Sequence, residues 1–132
     1  MTTTEWSMGG ENTTVVVLSP DDDVTSVLSM VLQPHGVRVT FPRTSEGALE
    51  AIARSNADVV LVSSECGDDL VGAIVKEEFD PFVPVLLFSP HSNLASLHTM
   101  AQKYGVPFLE LSSDSGDLAS RLRLAAGRQT LS

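Results

Sequence analysis

Cysteine is nearly missing from this chain. Cys66 stands alone, which excludes an internal disulfide and the paired spacing of a zinc ribbon or a thioredoxin-like site. Positive charge is also scarce: 8 Lys and Arg face 17 Asp and Glu, for a formal net charge of -9. Attraction to nucleic acid or an anionic membrane depends on Lys and Arg neutralising phosphates, so neither is expected as a partner. No apolar run approaches the length that crosses a bilayer. The N-terminal stretch MTTTEWSMGGENTT has neither a basic region nor an apolar core of the secretory kind, so the expected location is the cytoplasm. Gly9 and Gly10 are not followed by a helix at the spacing of a phosphate loop, and no nucleotide or other cofactor is expected. Protein partners become the default.

What is present fits one domain of ordinary size, with 132 residues of which 42% are hydrophobic, enough for a continuous core. Residues 1–12 are polar and lack apolar periodicity, so they read as a tail in which Trp6 is at most locally ordered. Val15, Val16, Val17 and Leu18 then form an unbroken apolar run, the pattern of a parallel strand covered on both faces. The period changes next: Val24, Val27, Leu28, Val31 and Leu32 recur at helical spacing, with Asp22 and Asp23 as N-cap candidates and a stop near Pro34 and Gly36. The alternation continues with strand 37–41, helix 45–55 (Ala48, Leu49 and Ile52 inward), strand 59–62 and helix 67–79 (Leu70, Ile74 and Val75 inward). Strand 83–88, helix 93–104 (Leu94, Leu97 and Ala101 inward), strand 108–111 and helix 114–128 complete it. The domain thus spans 13–128, with a short tail over 129–132.

Repeated βα units with short connections predict an α/β fold, a five-stranded parallel sheet in the flavodoxin-like order 2-1-3-4-5 with helices on both faces. Chemistry in such a sheet belongs at the carboxyl ends of the strands. The segments to inspect are 19–23, 63–69, 89–92 and 111–114.

Across 14–127 the sequence resembles the receiver domain of two-component response regulators. VVVLSPDDDVTSVLSMVLQPHG lies without gaps on that family's first strand, loop and helix, and GVRVTFPRTSEGALEAIARSNADVVLVS continues gaplessly through the third strand. VPVLLFS resembles the fourth strand with its terminal hydroxyl, and YGVPFLEL the turn and fifth strand. The resemblance implies a pocket of two acidic residues after the first strand and an aspartate ending the third, which together hold magnesium and accept a phosphoryl group. Here the acidic pair falls on Ser19 and Pro20 and the acceptor on Ser63. The lysine ending the fifth strand falls on Leu111, and the proline after it on Ser112. Only Ser89, at the hydroxyl position, and Phe108, at the aromatic switch position, match. The segment 63–84 is also several residues shorter than the family's usual length. The expectation is a pseudo-receiver: the sheet and its interaction face kept, the metal and phosphoryl chemistry gone.

The remaining candidate residues have plainer readings. Asp21, Asp22 and Asp23 suit a helix N-terminus by capping and dipole; a displaced ion site would also need Glu65, Asp68 or Asp69. A receiver-like domain sensing a small ligand or ion through the loops after strands one and three therefore stays as the alternative. A cryptic enzyme using Cys66 and His91 is weaker, since no orienting third residue or oxyanion loop accompanies them. His35 and His98 read as surface positions. Arg121, Arg123 and Arg128 complement a helix C-terminus.

The resemblance implies that the face made by helix four, strand five and helix five binds a protein partner, a second copy of the chain being one option. Leu97, Met100, Tyr104 and Phe108 are its expected contact residues, because helix four carries more apolar side chains than one inward stripe accommodates.

Overall fold

In the computed structural model the residues described are 13–42, 47–77, 83–89, 94–111 and 114–126. Five parallel strands alternate with helices: β1 (Thr13–Leu18), α1 (Asp22–Leu32), β2 (Val37–Thr40), α2 (Ala48–Ser55), β3 (Val59–Ser63), α3 (Asp68–Lys76), β4 (Val85–Phe88), α4 (Leu94–Tyr104), β5 (Phe108–Leu109) and α5 (Ser115–Ala125). Short 3-10 turns follow α1, over Gln33–His35, and β3, over Ser64–Cys66. The sheet order is β2-β1-β3-β4-β5, with every described neighbour pair parallel. This is the flavodoxin-like doubly wound arrangement expected from the sequence.

The apolar strand runs make sense once their two faces are followed. Successive side chains of a strand point to opposite faces. Val15 and Val17 join Val59, Leu61 and Phe88 under Leu28 and Leu32 of α1 and Leu118 and Leu122 of α5. Val16 and Leu18 join Val60, Val62 and Leu87 under Ile52 of α2, Val71 and Ile74 of α3 and Leu97 of α4. Both layers are closed, so every position of β1 and β3 except Thr14 is buried. Each fully buried Val or Leu contributes about 1.5–3 kcal/mol relative to exposure. Among the described residues no helix is long and apolar enough to cross a membrane.

Several details differ from the sequence reading. Asp21, not Asp22 or Asp23, is the N-cap of α1; its side chain accepts from the Asp23 N–H at 2.9 Å. Val27 is 53% exposed because it falls on the flank of α1 away from the sheet. Leu49 is likewise exposed, and Ala51 takes the inward place beside Ile52. α2 begins at Ala48 after Gly47, whose N–H donates to Glu50 Oε1 at 2.8 Å; Ser45 lies outside the described residues. Helix α3 is described to Lys76, where Glu77 turns extended. β4 starts at Val85, after Pro84, which has no N–H for the ladder. β5 has only two residues, so Leu111 stands beyond it. The expected tails and the end of the last helix, 127–128, lie outside the described residues.

Candidate functional site

The carboxyl ends of β1, β3 and β4 form the crest where a doubly wound sheet places its chemistry. Ser19 follows β1 and is half-buried. Its Oγ accepts from the Asp21 N–H at 3.1 Å and lies 3.4 Å from the Asp21 carbonyl oxygen. It closes a local turn of the kind that short hydroxyl side chains favour. Pro20 is exposed and offers no donor and no side-chain ligand. Ser63, the last residue of β3, is fully buried. Its Oγ accepts from the Glu65 N–H at 3.0 Å and caps the Ser64–Cys66 turn. Ser89 is buried just past β4, and Leu111 packs against the core layer beneath α1 and α5. At the three positions where the resemblance asks for carboxylates there is a hydroxyl engaged with its own loop, a proline ring and a second engaged hydroxyl.

The acidic residues around the crest do not assemble. Asp21 is occupied as a cap, and Asp22 and Asp23 point to solvent in the first turn of α1, where the helix dipole favours them. Asp68 is drawn sideways: the Tyr104 hydroxyl sits 3.0 Å from its Oδ1 and Lys103 Nζ 3.3 Å from the same oxygen. The hydrogen bond from Tyr104, then Lys103, holds this carboxyl below the usual aspartate range. Among the described residues no three His, Cys, Asp or Glu side chains come together as a metal would require.

Cys66 closes the crest from the other side. Its thiol donates to the Leu18 carbonyl at the end of β1, 3.2 Å away. Burial pushes the thiol pKa up, a backbone hydrogen bond from Ser63 offsets part of that, and the charge of Glu65 adds to the rise. An activated nucleophile needs the opposite shift. His91, its partner in the enzyme reading, lies outside the described residues.

On the α4 and β5 side the structure rearranges the expected contact residues. Leu97 is fully buried among the sheet side chains, so it anchors α4 and presents nothing to a partner. Met100 and Tyr104 are half-buried and lean against the same core layer. The Tyr104 hydroxyl reaches back to α3 rather than outward. What faces outward is an aromatic pair: Phe108, 38% exposed, meets the His98 ring at 4.4 Å between centroids with 45° between planes. A shallow concavity lined by His98, Ala101, Gln102, Gly105, Val106 and Phe108 lies beside them. His98 was legible only as a surface position. Its pairing with Phe108 follows from the sheet order that sets β5 beside the exposed flank of α4, which local periodicity does not encode. On α5, Arg121 pairs with Asp117 at 3.2 Å in the i,i+4 relation, and Arg128 lies outside the described residues. His35, read as a surface residue, is half-buried and lies near Gly116 at the start of α5.

No protein-family model and no curated protein matches the chain by sequence. Solved structures do match it. A response regulator receiver protein from Burkholderia phymatum superposes with a TM-score of 0.68 at 16% identity, covering 88% of this chain and 96% of its own. A response regulator from Thermotoga maritima gives 0.68 at 18% identity, covering 88% and 98%. HP1043, an orphan response regulator of H. pylori, gives 0.62 at 16% identity, again covering 88% and 98%. The alignments run nearly the full length of these chains. The chain has the fold of a response-regulator receiver domain.

Proposed function

We propose that this protein is a pseudo-receiver: a protein-interaction module of two-component-type signalling that works without phosphorylation and without catalysis. The observation that carries this reading is Ser63. It occupies the position the resemblance assigns to the phosphoacceptor, it is fully buried, and its hydroxyl is committed to the Glu65 N–H. A serine here forms no acyl phosphate and supplies no carboxylate to magnesium. Ser19 and Pro20 remove the two remaining metal ligands.

The surface proposed for the partner is the flank of α4 and β5, with the His98 and Phe108 rings at its centre and Met100 at its edge. Exposed aromatic rings supply contact area at low entropic cost, and a second copy of the chain is one occupant to test. Two measurements on the full chain decide the matter. Heteronuclear NMR with magnesium and beryllofluoride should leave the amides of 19–23 and 63–67 in place; shifts concentrated there would restore a working pocket. A photo-crosslinking residue at position 98 should capture a partner in cells, while one at the exposed Met30 on α1 should not. Capture at 30 and none at 98 would move the interface to another face.

A further inference from the structure

The C-terminal end of α4 is fastened to the start of α3 by groups that the crest does not use. The Tyr104 hydroxyl lies 3.1 Å from the Asp68 carbonyl oxygen and 3.0 Å from Asp68 Oδ1. One phenolic proton serves one acceptor at a time, so these two oxygens share it. Lys103 Nζ is 3.3 Å from the same Oδ1 and 5.3 Å from the centroid of the Tyr104 ring. The ring in turn rests on Gly72, the buried helical glycine of α3: a Cβ there would approach Tyr104 Cε1 to 3.3 Å. Asp68 is the first residue of α3, and Gly67 joins it to the Ser64–Cys66 turn. The turn, Gly67 and Asp68 therefore form one short covalent path from the end of β3 to the carboxylate that holds the end of α4.

We infer that Asp68, Tyr104 and Lys103 form a clasp through which the turn after β3 sets the position of α4, and with it the position of His98 against Phe108. Two contacts of different kinds converge on one carboxylate oxygen, a neutral donor and an ammonium, and the Tyr104 ring adds van der Waals contact with α3 at Gly72. Their convergence fixes both the distance and the bearing of the helix end. α4 also touches the Ser64–Cys66 turn directly, so the clasp is one of two couplings, and cutting it measures its share. Asp68, Tyr104 and Lys103 are positioning residues here. The inference stands whether or not the α4 flank binds a partner.

A two-by-two NMR experiment on the full chain tests it. Cys66→Ala perturbs the turn by removing the thiol bond to Leu18, in the parent and in a Tyr104→Phe background. The amide peaks of 97–104 and Phe108 should move in the parent, and their displacement should fall by about twofold or more when the hydroxyl is gone. Amides of β2 should respond alike in both. Should Cys66→Ala fold poorly, Ser63→Ala perturbs the same turn. Hydrogen exchange supplies an independent reading: Tyr104→Phe should accelerate exchange in α4 about threefold to tenfold, the loss of roughly one hydrogen bond, while α1 keeps its protection. Equal peak displacement in the two backgrounds, no displacement in either, or acceleration in α1 as large as in α4 would each overturn the clasp.

Discussion

Placing a carboxylate where the resemblance expects one provides a strong test of the crest. Ser63→Asp puts an acidic side chain at a position with no solvent exposure. Its Oγ accepts from the Glu65 N–H at 3.0 Å. The new oxygen can still cap that turn, since Asp caps as well as Ser. Among the described residues, the crest positions beside it carry Ser19 and Pro20, and Lys103 is held by Asp68, so none of these offsets the charge. An uncompensated buried charge costs about 3 kcal/mol. With unfolding entropy near 2.1 cal/mol/K per residue, a 132-residue chain loses about 11 °C of Tm for that cost. At about 1.36 kcal/mol per pKa unit the same cost lifts the new carboxyl from about 3.9 to about 6. Between those values the folded state keeps a proton that the unfolded chain releases, so stability falls as pH rises through this window. The penalty is complete above about pH 6 and vanishes below about pH 4. Thermal melts read the Tm loss, and urea unfolding of parent and variant across that range, with and without millimolar magnesium, reads the pH and metal dependence. Magnesium should leave the single variant unchanged. Adding Ser19→Asp and Pro20→Asp should bring magnesium stabilisation of about 1.4 kcal/mol at tenfold excess over Kd. If the single variant matched the parent at neutral pH, or if magnesium stabilised the parent itself, the account of a closed crest would be wrong.

Other outcomes follow from burial and backbone geometry. Leu97→Ala should cost about 2–5 kcal/mol in urea unfolding, because it empties a fully buried site. Phe108→Ala, at an exposed ring, should cost under about 1 kcal/mol while weakening crosslinking from position 98; comparable losses for the two would contradict their assigned environments. Gly67 has φ 93° and ψ 158°, a region essentially closed to other residues, so Gly67→Ala should cost about 1–3 kcal/mol even though a Cβ meets nothing within 4 Å. Cys66, with its thiol pKa raised by burial, should be alkylated more slowly by iodoacetamide in the folded protein than in urea, and the gap should narrow as pH climbs through the folded pKa. Faster reaction in the folded state would show an activated thiolate instead.

Element order and sheet topology were readable because they rest on long, redundant patterns. The run from Val15 to Leu18 serves two core layers at once, and only a strand covered on both faces tolerates such a run. Helix flanks were less readable. Val27 and Leu49 sit one residue beside the inward stripe, and a 3.6-residue period seen over two or three turns does not separate flank from face. The N-cap slipped by one residue because three adjacent aspartates offer the same chemistry; Ser19 decides between them by closing the turn that places Asp21 at the cap. At the crest, the substitutions at 19, 20 and 63 were visible as letters, but the hydrogen bonds that occupy Ser19 and Ser63 depend on backbone path. Least readable was Tyr104. Its apolar ring and position on α4 suggested an outward contact, whereas its polar tip found Asp68, 36 residues earlier in the chain, across the gap to α3.

These contacts bear on how such a module could be controlled. A ligand shifts an equilibrium only by the difference in its affinity for two states. In the crest seen here, the hydroxyls of Ser19 and Ser63 and the thiol of Cys66 already bond to backbone groups within the loops. An incoming ion or phosphoryl group would have to break those bonds before gaining any of its own. Each broken bond costs about 0.5–1.5 kcal/mol net, and no carboxylate at 19, 20 or 63 repays it. Under the proposed function the loops therefore act as a brace: they hold the ends of β1 and β3 together, and α3 and the clasp carry that fixed geometry to α4. Control would then lie in a partner's own choice between states. Loosening the brace, as Ser63→Ala does by removing the cap on the Ser64–Cys66 turn, should weaken partner binding without replacing any residue of the binding surface.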